Sequence, residues 1–286
     1  MAAVARSYLY VPGDRADLLD KAAGRGADAL VLDLEDAVTP ARKAQARETV
    51  AGYLGAAAPA GPGLWVRINS DQVEADVEVL SPAAAGVWVP KAEPDLLAEV
   101  DAALTRVQRR LGPDAPAFRV VALIETARGV LTAPRVAEAP RLLRLGLGEA
   151  DLAGELGLQP GPDRAEFAPI RSQVVVASAA AGIAPAVGPV ETTLRDPERL
   201  ERTTRALLRQ GFRARSAIHP GQIATINEVF TPTEAEVASA RAVLAALEQA
   251  ERGGSGVATD ADGRLLDRAV VRAATEVVRR AEASAG

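Results

Sequence analysis

Val120-Val121-Ala122-Leu123-Ile124-Glu125-Thr126-Ala127-Arg128-Gly129 and, a short way on, Arg144-Leu145-Gly146-Leu147-Gly148-Glu149-Ala150-Asp151-Leu152 decide how this chain is read. Each half is an apolar run of strand length, residues 120–124 and 142–147, that stops abruptly at an acid. Unbroken apolar character, rather than alternation, suits a strand buried on both faces of a parallel sheet. Residues 130–138 carry helical character between the two runs. Glu125 and Asp151 therefore stand at or just beyond the carboxyl ends of consecutive strands, the rim where parallel α/β folds bind ligands. Two convergent carboxylates suit a hard cation such as Mg²⁺, which takes one or two of them and keeps water and substrate for the rest. The same positions also suit acids that cap helices. Position alone leaves both readings open, and the neighbouring strand ends favour the metal.

Those neighbours repeat the pattern. Strands are predicted over residues 7–11, 29–34, 64–68, 86–89, 120–124, 142–147, 185–190 and 215–218. Helical periodicity fills residues 16–25, 42–54, 95–111, 130–138, 167–181 and 197–210. Eight strands alternating with helices spell an α/β fold, a (β/α)₈ TIM barrel, over residues 1–230. An open doubly wound sheet is the other arrangement, but no glycine-rich nucleotide turn follows the first strand. Residues 231–286 form a C-terminal helical extension, helical over 233–251 and 265–283 and broken by glycines at 252–256. This tail either packs on its own barrel or covers an active-site mouth as a lid.

Composition narrows the function classes. The 286 residues are 48% apolar with a net charge of −5, so no basic stripe points to nucleic acid. Cysteine is absent and His219 is the one histidine, which excludes thiolate nucleophiles, disulfides and multi-histidine metal sites. The N-terminus lacks a signal-peptide pattern and no stretch reaches membrane-span length, so a cytoplasmic protein is expected.

Polar groups recur at strand ends: Asp33, Glu35 and Asp36; Arg67 and Asn69; Lys91; Glu125; Glu149 and Asp151. Acids gathered round one buried arginine must be paired or metal-bound. An arginine at a strand end grips a carboxylate bidentately, which suggests a small anionic substrate bridging Arg67 and the metal. Lys91 either adds charge there or is simply solvated.

Seven segments, taken in order, resemble the citrate lyase beta-subunit family, which includes beta-like proteins and the malyl-CoA and citramalyl-CoA lyases. They are Leu9–Arg15, Val31–Val38, Val66–Asn69, Val89–Glu93, Ile124–Gly129, Gly148–Leu152 and Ala217–Pro220. The resemblance implies a Mg²⁺-dependent carbon–carbon lyase with the metal on Glu125 and Asp151 and an oxo acid such as oxaloacetate on Arg67 and the metal. Its reaction splits, or in reverse forms, a 3-hydroxyacyl thioester, giving an oxo acid and an acetyl-type thioester. Asp33 and Glu35 would orient Arg67 and the metal's waters. Asp267, in Gly263-Arg264-Leu265-Leu266-Asp267, matches the family's Gly-x-x-x-Asp motif and would be the general acid/base, often supplied by an adjacent subunit. Many members carry a proline shortly after that aspartate, where this chain reads Arg268-Ala269-Val270. Arg15 and Lys21 would meet the thioester carrier, CoA or an acyl carrier protein. His219 is expected to shape the carrier channel rather than act as the base. A homo-oligomer, a trimer, is expected; thioester hydrolysis, or a subunit inactive without its carrier protein, are the alternatives.

Overall fold

The computed structural model describes residues 5–57, 61–252, 258–259 and 265–285. Eight parallel strands close into a barrel in sequence order: β1 (Ser7–Pro12), β2 (Ala29–Asp33), β3 (Gly63–Arg67), β4 (Ala84–Val89), β5 (Arg119–Ile124), β6 (Leu142–Leu147), β7 (Ala184–Gly188) and β8 (Ala214–Ala217). Closure runs through β1 and β8, with Tyr8 opposite Ser216. The α/β (β/α)₈ TIM barrel expected from the alternating pattern is the fold observed, and the open sheet is excluded by that closure.

The strands form where the apolar runs predict because both faces are buried. Every residue of β2 is buried, one face toward the helices and one toward the barrel axis. Tyr8, Val31, Trp65, Trp88, Val121, Leu123 and Val187 fill the core cluster. The rings of Tyr8 and Tyr10 meet Trp88 edge-on at 5.1 and 5.6 Å, contacts worth about 0.5–1.5 kcal/mol each beyond burial.

Around the barrel run α1 (Ala16–Ala22), α2 (Lys43–Ala56), α3 (Val73–Val77), α4 (Pro94–Leu111), α5 (Ala127–Ala137), α6 (Glu149–Leu156), α7 (Ala168–Ala180) and α8 (Pro197–Arg209), followed by α9 (Ile223–Phe230). Of these, α3, α6 and α9 carry too few turns for periodicity to announce them. The first compact unit is Ala5–Asn227 and the second begins at Glu228. The second unit holds α10 (Glu234–Arg252), a two-stranded antiparallel pair β9 (Ala258–Thr259) and β10 (Leu265–Leu266), and α11 (Arg268–Ala285). The last helix thus starts three residues later than periodicity predicts, because Leu265 and Leu266 pair as a strand. Among the described residues, no helix is long and apolar enough to cross a membrane.

Candidate active site

Asp33 and Arg67 are register partners at the carboxyl ends of β2 and β3, so their side chains leave the barrel mouth side by side. Arg67 Nε and Nη2 donate to the two Asp33 oxygens at 2.7 and 2.6 Å, a bidentate fork. Its remaining nitrogen, Nη1, pairs with Glu35 Oε2 at 2.7 Å and lies 3.6 Å from Asp36 Oδ2. The guanidinium carbon lies 4.9 Å from the centre of the Tyr10 ring. Burial opposes the Arg67 charge, yet the Asp33 hydrogen bonds and the charges of Asp33 and Glu35 hold its pKa above the ordinary value. Asp33 is fixed in turn, since its oxygens accept the Glu35 and Ala37 amides at 2.9 and 3.1 Å. The fork that the sequence assigns to a substrate carboxylate is therefore closed on Asp33.

Lys91 extends the cluster to β5. It follows β4 with a left-handed φ of 48°, unusual for a side chain with a Cβ. That turn sends its amide to Glu125 Oε1 at 2.9 Å and its ammonium to Glu35 Oε1 at 2.8 Å. Lys91 is more than a solvated loop charge. Glu35 is thus held from both sides, although burial pushes its carboxyl pKa upward.

Glu125 directly follows β5 and is buried, 4% exposed. Burial, helped by the negative charges of Glu35 and Asp151 and opposed by the Lys91 amide, pushes its pKa up to about 8. Asp151 lies exposed in the first turn of α6, three residues beyond the turn glycine Gly148 rather than at the strand end itself. Neither acid caps a helix. Thr126 caps α5, its hydroxyl accepting the Gly129 amide at 2.9 Å, and α6 has no side-chain cap. Among the described residues neither acid has an ion-pair partner. A buried carboxylate that repels a second one, and that the Lys91 charge offsets only in part, fits a hard divalent cation. No group of three or more carboxylate, imidazole or thiolate ligands that could hold a metal is found among the described residues, so Glu125 and Asp151 could supply at most two protein donors. Gly148 makes room for this, since a Cβ there would lie 2.4 Å from Glu125 Oε2.

The other expected residues make contacts of their own. Glu149 turns away from the cluster to Arg171 and Arg164, each at 2.6 Å. Arg15 pairs with Asp17 at 2.8 Å at the start of α1, and Lys21 is exposed in its last turn. His219 Nδ1 accepts the Gly221 amide and caps a single helical turn with Gln222, a structural task. Asp267 belongs to the second unit, where its Oδ1 accepts the Ala269 and Val270 amides at 2.8 and 2.9 Å and caps α11. The alternation of elements did not disclose Tyr10, the double reach of Lys91, or Lys43, whose ammonium lies beneath the Leu34–Glu35 turn. Of these, only Val89-Pro90-Lys91 at a strand end carried a signal.

Known proteins share this frame. Residues 6–220 match the model of the HpcH/HpaI aldolase/citrate lyase family. A (3S)-malyl-CoA thioesterase of Cereibacter sphaeroides is 36% identical over 284 residues, 98% of this chain and 95% of that protein. The citrate lyase subunit beta of Leuconostoc mesenteroides is 34% identical over 285 residues, 98% of this chain and 94% of that protein. The solved structure of CitE from Mycobacterium tuberculosis with magnesium, acetoacetate and coenzyme A superimposes with a TM-score of 0.76 at 31% identity, covering 99% of this chain and 100% of that one. The family match runs through all eight strands and the relatives align over nearly the whole length, so the chain belongs to the HpcH/HpaI aldolase/citrate lyase family.

Proposed function

We propose that the protein is a Mg²⁺-dependent carbon–carbon lyase that cleaves, or in reverse forms, a short 3-hydroxyacyl thioester such as citryl-, malyl- or citramalyl-CoA. The products are an oxo acid and an acetyl-type thioester. The observation that carries this reading is Glu125, buried with no ion pair among the described residues and repelled by the charge of Asp151, with the Arg67 cluster joined to it through Lys91. The full-length likeness to a citrate lyase beta subunit, and to a CitE solved with magnesium and coenzyme A, supports it.

Glu125 and Asp151 would hold the cation, which when bound would supply Lewis-acid polarisation of the oxygen that becomes the oxo group and a template for the oxo acid. Arg67, its plane fixed by Asp33 and Glu35, presents Nη1 to the oxygen on which enolate charge develops, an oxyanion-hole task. In cleavage the bond between the hydroxyl-bearing carbon and the thioester α-carbon breaks. The hydroxyl proton passes to solvent water, and Asp267, protonated beforehand, delivers a proton to the α-carbon as general acid; in synthesis its carboxylate removes that proton. Arg15 and Lys21 meet the phosphates of the thioester carrier. Residues 231–286 serve as a lid that brings Asp267 to the mouth, from the same or a neighbouring subunit of a homotrimer. A cytoplasmic setting goes with this chemistry.

The likeness to malyl-CoA thioesterases favours a second reading, hydrolysis on the same scaffold. Incubating the purified protein with malyl-CoA and Mg²⁺ separates the two. Glyoxylate and acetyl-CoA as products support the lyase; malate and free CoA transfer the assignment to hydrolysis. Turnover only when the acyl group rides on an acyl carrier protein identifies a carrier-dependent subunit.

A further inference from the structure

Lys43 opens α2 on the outer side of the turn that carries Asp33 and Glu35, and its side chain points back beneath that turn. Its ammonium donates to Leu34 O at 2.6 Å, Glu35 O at 2.6 Å and Asn69 Oδ1 at 2.7 Å. Three acceptors match the three protons of an ammonium, and none of them is a carboxylate. Both carbonyls already accept one hydrogen bond, Leu34 O from Asn69 Nδ2 and Glu35 O from the Val38 amide at 3.0 Å, so the ammonium takes the second acceptor site of each and ties two successive residues to one point. Asn69 is oriented by its own partners, so its oxygen is the atom that faces Lys43. Its Nδ2 donates to Leu34 O at 2.9 Å and to Asp76 Oδ2 at 2.7 Å. Asp76 is fully buried and held by Arg47 Nε at 2.7 Å. The chain of contacts thus runs from Arg47 through Asp76 and Asn69 to Lys43 and the backbone of residues 34 and 35.

We infer that Lys43 is a positioning residue, fixing the Leu34–Glu35 backbone so that Asp33 and Glu35 hold the Arg67 guanidinium in its working plane. This deepens, and rests on, the lyase reading above. Lys43 itself makes none of the described contacts to Arg67, Glu125 or Asp151. It acts on the backbone from which the Asp33 and Glu35 side chains reach Arg67. An arginine does not replace it, because a planar fork cannot serve three acceptors arranged round a point donor.

The test uses the full chain with K43M, which keeps the unbranched stem and removes the donors, and K43R. Four quantities are measured: kcat and KM for whichever thioester the wild type cleaves, Mg²⁺ affinity by calorimetry, oxaloacetate affinity with Mg²⁺ present, and Tm. The expected result is a kcat for K43M lower by on the order of a hundredfold, the scale of a displaced reacting group, with KM near the wild-type value. Mg²⁺ affinity stays unchanged and K43R recovers only part of the rate. A K43M protein that melts earlier but turns over at the wild-type rate when folded overturns the inference, as does full recovery in K43R. Should K43M not fold, the rate of K43R decides by the same criterion. If the wild type cleaves no thioester, the lyase reading fails by itself. Lys43 is then judged on Mg²⁺-dependent oxaloacetate binding, which weakens in K43M if it positions Arg67 and is unaltered if it does not.

Discussion

Arg67 and Asp33 bring two opposite charges into near-complete burial, with the side chains 11% and 1% exposed. Removing one member of such a pair strands the other, so Arg67→Met should cost about 3–5 kcal/mol of stability. Chemical denaturation checks it. Arg67→Lys keeps a charge but cannot close the Asp33 fork while also reaching Glu35. Oxaloacetate affinity in the presence of Mg²⁺ should fall at least tenfold, roughly the loss of one charged hydrogen bond; near-normal binding in calorimetry refutes that. Glu125 gives a pH signature. In the metal-free protein its carboxyl titrates at about 8 instead of the ordinary 4.5, so the folded state prefers it protonated. A raised pKa means that the associated stability is complete below about pH 4.5 and is lost as pH climbs through about 8. Metal-free protein should therefore lose Tm across that window, Mg²⁺ should restore it, and Glu125→Gln should remove the dependence. A Tm profile of Glu125→Gln that still falls over the same window refutes the assignment.

The junction of β6 and α6 works as an element because it has no room for a side chain. At Gly148 an added Cβ would stand 2.6 Å from the Glu125 Cβ as well as against its carboxylate. Gly148→Ala should push Glu125 out of place and weaken Mg²⁺ binding by about 10–100-fold, the usual scale for disturbing a ligand's support, while circular dichroism shows an intact barrel. An unchanged calorimetric Kd would show that Glu125 is not a ligand. The elements that position the site differ in how far their residues declare them. Val120–Ile124 and Leu142–Leu147 read as buried strands because a strand covered on both faces has no polar side to obscure it. The acids that follow were visible for the same reason, since each apolar run ends on one. The helix α6 was not visible, being the eight residues Glu149–Leu156 set between Gly148 and Gly157. Nor could residue types say which carboxylate Arg67 would grip. Asp33, its neighbour in register, closes the fork first, and register emerges only when β2 and β3 pair. The left-handed turn at Lys91 is likewise a product of the closed barrel, which lets one residue serve Glu35 and Glu125 across 56 and 34 positions of sequence.

At the scale of the whole molecule, the candidate site and the proposed proton donor belong to different compact units. Arg67, Glu125 and Asp151 all lie within Ala5–Asn227, whereas Asp267 belongs to the unit that begins at Glu228. Asp267→Asn is a clean way to separate the two, because asparagine caps helices about as well as aspartate and can keep the bonds to the Ala269 and Val270 amides. The variant should melt like the wild type and bind Mg²⁺ and oxaloacetate normally, yet lose turnover by at least about a hundredfold, the range for a missing general acid/base. Normal turnover removes Asp267 from the mechanism. If the protein is a homotrimer in which the lid crosses between subunits, light scattering gives three times the chain mass. Co-expressing Asp267→Asn with Glu125→Gln then restores activity that neither has alone, since some sites combine an intact barrel with a neighbour's intact lid. A monomeric mass, or mixed oligomers as inactive as their parents, assigns Asp267 to the barrel of its own chain.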